Sequence, residues 1–267
     1  IKDNILRILI IYLVLSILIL TLLNYSGLRL FNSLNMSMTL VSGGGFLPTD
    51  SINKIISTNF QKIIFIFSLI LSMLNFYLLL NLFNKNILIK EHREDLYLII
   101  LSAILCILIY FNNYQGLDII ISVVSSLANS GLTLVKSDNN LSLYFLLITI
   151  IGGSIISNTS GIKLTRFYIL LKITSSEIIK LISPNSVINK TIFNSDKKIS
   201  DDNIKISFLI FISFFLSLFI LSSFLVIDNL GFEKSFKLSI LTLTNTVNSE
   251  MFNMQNINFS NLLTSSK

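Results

Sequence analysis

The stretch 151-IGGSIISNTSGIKLTRF-167 interrupts an apolar segment that would otherwise be long enough to cross a membrane. It opens with two glycines, passes through Ser154, Ser157, Asn158, Thr159 and Ser160, and closes on Lys163 and Arg166. On either side lie 142-SLYFLLIT-149 and 167-FYILL-171, both dominated by large apolar residues. Inside a bilayer, backbone without helical hydrogen bonds is tolerated only where protein buries it or where it lines a watery cavity. A polar break in mid-span therefore marks either a spoiled helix or a built pathway, and the rest of the chain decides between them.

Of the 267 residues, 52% are hydrophobic and 13% charged, with a mean hydropathy of +0.78. A soluble domain of this size needs more charge to face water. The apolar residues gather into five segments, roughly 5–23, 62–83, 96–111, 141–171 and 206–227, and about 20 residues cross about 30 Å of hydrocarbon. The pattern predicts an all-α integral membrane protein. Its first apolar run is long enough to stay as a span rather than leave as a signal peptide.

Catalytic and metal chemistry find little purchase. Cys106 is the one cysteine and lies inside 96-LYLIILSAILCILIYF-111, while His92, the one histidine, sits in the charge cluster 90-KEHRED-95. These rule out a disulfide within the chain and a Cys/His metal set. No His, Cys or carboxylate constellation falls on the membrane segments, so an enzyme is not expected. The net charge of +6 comes without the basic, aromatic-laced stripe that nucleic acid requires.

Between the long segments lie shorter ones: 31-FNSLNMSMTLVSGGGFLPTD-50, 118-DIIISVVSSLANSGLTLVKSD-138 and 235-SFKLSILTLTNTVNSEMFNMQ-255. Each offers about ten residues of helix-compatible pattern, suited to a re-entrant helix, and then a Ser/Thr/Asn/Gly-rich tail. The order long helix, short helix, polar tail, long helix recurs, and such a repeat decides the fold. It divides the chain into units at 1–83 and 84–172, a cytoplasmic linker at 173–205, and a partial unit at 206–267. The N-terminus, residues 84–95 and residues 163–205 hold 13 of the 20 Lys and Arg, which places them in the cytoplasm and lets the short helices dip in from outside.

Three polar tails in register argue for a shared aqueous path. A ring of backbone carbonyls can replace the hydration shell of K⁺ or Na⁺. Aiming successive carbonyls inward calls for backbone angles that glycine reaches without steric cost, and the tails supply 42-SGGGF-46 and 129-NSGL-132.

At these residues the chain resembles the Trk/Ktr/HKT cation transporters, and within them the bacterial TrkH-type potassium uptake subunit. The stretch 40-LVSGGGFLPTD-50 resembles that family's second filter loop, and 123-VVSSLANSGL-132 is similar to the third, with Gly131 at the filter glycine. The glycine-rich break of the family's third repeat, ending Gly-Ile-Lys-x-x-Arg, is matched by 152-GGSIISNTSGIKLTRF-167. The cytoplasmic segment 177-EIIKLISPNSVI-188 and the fourth filter loop 242-TLTNTVNS-249 follow in the family's order.

The resemblance implies tandem membrane-pore-membrane repeats around a pseudo-fourfold ion path. This chain would hold repeats two and three and the first helix and pore loop of repeat four, and is expected not to conduct alone. The filter would be lined by Ser42, Gly43, Gly44, Asn129, Ser130, Gly131, Asn245, Thr246 and Val247, with K⁺ or Na⁺ as the transported ion and no covalently bound cofactor. Val247 stands where the fourth loop ordinarily has glycine, and a β-branched residue fits positive φ poorly. The gating loop would comprise Gly152, Gly153, Ser157, Asn158, Thr159, Gly161, Lys163 and Arg166, stiffened by Ile155, Ile156 and Asn158 where small residues are usual. Lys163 and Arg166, three apart, are expected on one face of the resumed helix. For Arg166 the plainer role is snorkelling to the cytoplasmic interface; for Lys163 a role facing the pore stands beside it.

The resemblance further implies a homodimer in the lipid bilayer of the bacterial cytoplasmic (inner) membrane. A cytoplasmic nucleotide-binding subunit of the TrkA type would dock on the charged linkers, above all 172–205. Two other readings remain from the sequence: a broken-helix secondary transporter, and a truncated, non-conducting remnant. Asp118, Asp138 and Asp228 fall at outer segment ends, as a cation-attracting vestibule or as ordinary solvated helix ends.

Overall fold

The computed structural model describes residues 2–49, 51–76, 78, 93–110, 116–134, 139–183, 191–193, 198–228 and 230–246. Their helices, in chain order, are α1 (Lys2–Tyr25), α2 (Leu30–Ser42), α3 (Asn59–Met73), α4 (Arg93–Tyr110), α5 (Leu117–Leu127), α6 (Asn139–Ile151), α7 (Leu164–Ile182), α8 (Asp201–Ile227) and α9 (Phe232–Leu243), with a short 3₁₀ turn at Ile52–Lys54. Apart from an isolated bridge between Thr191 and Lys198, the described residues form no β-structure, as the apolar patterning predicts.

Local signals set several helix ends. Thr58 and Gln61 form a reciprocal capping box at the start of α3, satisfying two of the N–H groups that a helix start leaves orphaned. The Gln61 amide then reaches back to the Ser26 carbonyl at 3.4 Å, pinning the start of α3 to the end of α1. Ser200 caps α8, whose first turn carries Asp201 and Asp202, where the helix dipole favours negative charge.

The packing is inside-out relative to a soluble protein. Large apolar side chains point outward along the long helices, among them Leu13 and Ile17 on α1, Ile107 and Leu108 on α4, and Leu209, Phe219 and Phe224 on α8. Hydroxyls point inward: Ser33, Ser37, Ser68, Ser122, Ser125, Ser126, Ser142, Ser235 and Ser239 are fully buried. Water would penalise this arrangement heavily, whereas lipid tails accept the outer belt and helix backbone satisfies the inner hydroxyls. Ser122 and Ser126 donate to the carbonyls of Asp118 and Ser122, and Ser239 donates to that of Ser235. By length and composition α1 and α8 can each cross a membrane, while α3, α5 and most of α6 are shorter apolar helices.

Contacts repeat along the chain. The first long helix of each unit packs on its own short helix: α1 on α2, α4 on α5, α8 on α9. The second long helix of one unit packs on the short helix of the next: α3 on α5, and α6 on α9. The salt bridge between Lys62 of α3 and Asp118 of α5, at 2.6 Å, closes one of these junctions.

Two long apolar segments are interrupted. The 141–171 segment is split into α6 and α7 by the polar stretch, as anticipated. The 62–83 segment breaks too, because α3 stops at Met73 and Leu74 turns extended, with ψ 163°. In addition α7 continues to Ile182, so the linker expected from residue 173 begins as helix.

Candidate functional site

The three polar tails share one backbone design. Immediately after α2, α5 and α9 the chain turns left-handed at Gly43 (φ 66°), Asn129 (φ 53°) and Asn245 (φ 58°). Asparagine is among the few side chains that tolerate this region. The next residue then reaches five positions back: Gly44 N–H to Thr39 O at 3.1 Å, Ser130 N–H to Ser125 O at 3.0 Å, and Thr246 N–H to Leu241 O at 2.8 Å. Three loops distant in sequence thus close their pore helices with the same bond.

This register shifts the first loop by one residue from the sequence expectation. Gly43 and Gly45, at φ 66° and 69°, match Asn129 and Gly131, at φ 53° and 64°, so Gly45 rather than Gly44 corresponds to Gly131. Ser42 is the last residue of α2 and its hydroxyl faces the Thr39 carbonyl at 3.3 Å. A run of three glycines leaves the register open in sequence, and the bulky Phe46, which follows Gly45 as Leu132 follows Gly131, marks it. A Cβ on Gly45 would lie 2.6 Å from the Ser130 carbonyl, so the first two loops touch backbone to backbone there.

Hydroxyls brace the first two loops from below. Thr39 donates to the Phe46 carbonyl at 2.6 Å, and Ser125 accepts the Leu132 N–H at 2.7 Å while contacting the Ser130 hydroxyl at 2.9 Å. The third loop has Leu241 at this position and carries instead a Thr244–Thr246 hydroxyl pair at 2.9 Å. Val247 and Asp138 lie outside the described residues.

Beneath these loops sits the 152–161 excursion. The chain leaves α6 at Gly152 (φ 70°) and returns at Gly161 (φ 83°), and its neck is stitched by Ile162 N–H to Ile150 O and Lys163 N–H to Ile151 O, both at 2.9 Å. Compact loops with adjoining ends of this kind are often functional. Both neck glycines are required sterically, since a Cβ on Gly152 would overlap the Ser160 carbonyl and one on Gly161 would lie 2.7 Å from the Ile150 carbonyl.

The loop ties to every unit around it. The Asn158 amide donates to Val41 O at the end of α2, at 2.8 Å, and the Ser160 hydroxyl donates to Thr244 O just after α9, at 3.0 Å. From the second polar tail the Asn129 amide donates to Thr149 O at the end of α6, at 2.9 Å. The break in α3 docks on the loop as well: Ser154 N–H bonds to Met73 O at 3.1 Å, and Phe76 N–H to Ile156 O at 2.9 Å. Above it all, the Asn245 amide reaches Gly43 O at 3.2 Å, linking the third polar tail to the first.

Two acidic residues missed by sequence reasoning hold this assembly from the start of α4. Glu94 accepts the Ile155 N–H at 2.9 Å, and buried Asp95 accepts the Asn75 N–H at 2.9 Å. In the sequence they are two more members of the charge cluster 90-KEHRED-95; only the break in α3, invisible in an apolar run, reveals what they cap.

Lys163 departs from expectation in another way. The helix resumes only at Leu164, leaving Lys163 at the cap with φ 80°, so it shares no helical face with Arg166. Its side chain turns back into the loop and is 8% exposed. Arg166 is half-buried on α7. Groups of three or more His, Cys, Asp or Glu able to hold a metal do not occur among the described residues.

No family model matches the chain. It is 30% identical over 186 residues to an uncharacterized cation transporter of Methanocaldococcus jannaschii, an alignment covering 67% of this chain and 38% of that protein. The crystal structure of the potassium transporter TrkH from Vibrio parahaemolyticus superposes with a TM-score of 0.82 at 18% identity, covering 94% of this chain and 57% of that one. The chain therefore spans well under two thirds of either relative. The repeating pore helices, the matched left-handed turns and the broken second-unit helix together give this chain the fold of the TrkH-type cation transporters.

Proposed function

We propose that this chain forms part of a membrane protein that passes monovalent cations, potassium or sodium, along a path lined by backbone oxygens of the three polar tails. It is a transporter component rather than an enzyme. The observation that carries the reading is the convergence of three identically built left-handed turns, at Gly43, Asn129 and Asn245, on one intramembrane loop. Helix C-termini carry partial negative charge, and the ends of α2, α5 and α9 bring that charge to the same place, where a partly dehydrated cation gains most. The 152–161 loop occupies the space beneath and consumes carbonyls at Val41 and Thr244, which suits a closed gate.

The wider assembly belongs to the same reading. The remaining filter quarter would come from elsewhere in the complete protein, the membrane would be the bacterial inner membrane, and the protein would be a homodimer. A nucleotide-binding subunit of the TrkA type would act from the cytoplasmic linker. The resemblance to known potassium transporters supports these partners.

The test is rubidium uptake by the full-length protein in liposomes. Replacing Gly131 by valine puts a β-branched residue at φ 64° and is expected to abolish uptake with the protein still folded. Undiminished rubidium flux would refute the path.

A further inference from the structure

Lys163 is the residue whose placement the cation path leaves unexplained. Its backbone is held at φ 80°, a conformation that costs a side-chain-bearing residue free energy. The ammonium it carries is buried at membrane depth, where a charge persists only when its surroundings replace water. They do so with oxygen alone. Nζ lies 3.1 Å from Ser157 O, 3.3 Å from Ser157 Oγ and 2.8 Å from Thr159 Oγ1, and it also bonds Thr159 O. The cage is itself braced, because the Ser157 and Thr159 hydroxyls contact each other at 2.8 Å and Thr159 Oγ1 accepts the Gly153 N–H at 3.0 Å. Among charged groups Glu94 attracts the ammonium and Arg166 repels it.

Two carbonyls and two hydroxyls, arranged around one compact monovalent charge, form the ligand set that a dehydrated alkali cation takes. An ammonium group and a potassium ion carry the same charge and differ little in size. We propose that the Ser157–Thr159 turn is a monovalent-cation site that the chain's own Lys163 ammonium occupies, and that this tethered cation holds the intramembrane loop closed. The inference rests on the loop lying in a cation path. While seated, the ammonium curls residues 157–159 back onto the neck and sets a fixed positive charge beneath the polar tails, where it repels an incoming cation. When the loop opens the side chain leaves, and the vacated oxygens become a station for the permeating ion.

Removing the tether without removing the cage separates this role from simple packing. In the full-length protein, Lys163→Ala leaves all four oxygens in place. Methylammonium at about 100 mM is expected to refill the cage and raise the melting temperature of this variant by about 2–4 °C. Tetramethylammonium, equal in charge but too large for the cage, is expected not to. The wild-type protein should show no difference between the two ions. In liposomes, rubidium flux through Lys163→Ala should exceed wild type about tenfold, as expected for loss of a latch of ordinary coupling strength, and methylammonium should bring it down again. Lys163→Gln, which keeps length and polarity but not charge, serves if the alanine variant does not fold; it too should gain flux. If methylammonium and tetramethylammonium affect the lysine variant alike, the site is refuted. If selective rescue appears in melting but no form of the protein passes rubidium, the cation path fails while the site stands.

Discussion

Ile155 donates its backbone N–H to the Glu94 carboxylate at 2.9 Å, joining the intramembrane loop to the start of α4 across 61 positions of sequence. One residue on, Asp95 caps Asn75 where α3 breaks, and that break pairs with the loop through Phe76 and Ile156. Adjacent carboxylates thus clamp both sides of one junction. A hydrogen bond to a charged group contributes about 1.5–3 kcal/mol. Glu94→Ala is accordingly expected to shift the loop's open–closed balance by about tenfold or more toward open, read as increased rubidium flux in the full-length protein. Glu94→Gln keeps an acceptor and should fall between. Wild-type flux in the alanine variant would show that the clamp does not restrain the loop.

The three glycines 43–45 are not interchangeable. Gly45 has φ 69° and its added Cβ would meet the Ser130 carbonyl at 2.6 Å, whereas a Cβ on Gly44 would meet the Phe46 ring and Ser42 hydroxyl at 3.2 Å, both movable side chains. Left-handed backbone costs a non-glycine residue about 1–2 kcal/mol before any clash. Gly45→Ala should therefore lower the melting temperature and suppress rubidium uptake, while Gly44→Ala stays near wild type in both. Equal damage from the two substitutions would contradict the register derived from the matched turns.

Much of this was legible in the sequence. The spans, the short helices and their repeat follow from runs of Leu, Ile and Phe, because a bilayer demands fixed lengths, and the polar interruption at 152–161 declared itself by composition. What stayed hidden depends on tertiary fit. Nothing in 62-KIIFIFSLILSMLNFYLLLN-81 marks a break at Leu74, since apolar side chains serve extended backbone as readily as helix once neighbours supply hydrogen bonds. The partners Ser154, Ile156 and Asp95 come from elsewhere in the chain. Likewise the periodicity that put Lys163 and Arg166 on one face assumed helix at residue 163, and a left-handed residue there sends the side chain the other way.

Phe193 ties the segment that follows α7 to the clamped helices. Its buried ring stacks between Tyr97 of α4, with centroids 4.9 Å apart, and Tyr168 of α7, at 4.4 Å. Tyr97 lies one turn beyond Glu94, so Phe193 packs on the same helix whose Glu94 bonds the loop. Phe193→Ala removes a core ring, a change that ordinarily costs about 3–5 kcal/mol. Most of that loss is expected locally, as faster protease cleavage around residues 191–199. Phe193→Leu, which retains burial, should protect the segment partly. Unaltered cleavage in the alanine variant would mean that the segment is held by other contacts.

Asn129 serves two physical demands that substitution can separate. Its backbone sits at φ 53°, which glycine adopts freely, and the equivalent residue in the first loop is in fact Gly43. Its amide donates to the Thr149 carbonyl in the last turn of α6, a bond that is fully buried. Asn129→Gly keeps the turn but strips that carbonyl of its donor, a loss of about 1–3 kcal/mol, partly offset by relief of left-handed strain. Asn129→Ala loses the donor and keeps the strain, so it should be less stable than the glycine variant by about 1 kcal/mol. The measurement is thermal unfolding of the full-length protein, with the order wild type, glycine, alanine. If alanine matched glycine, the left-handed turn would be absent at residue 129, and with it the common design that relates the three loops.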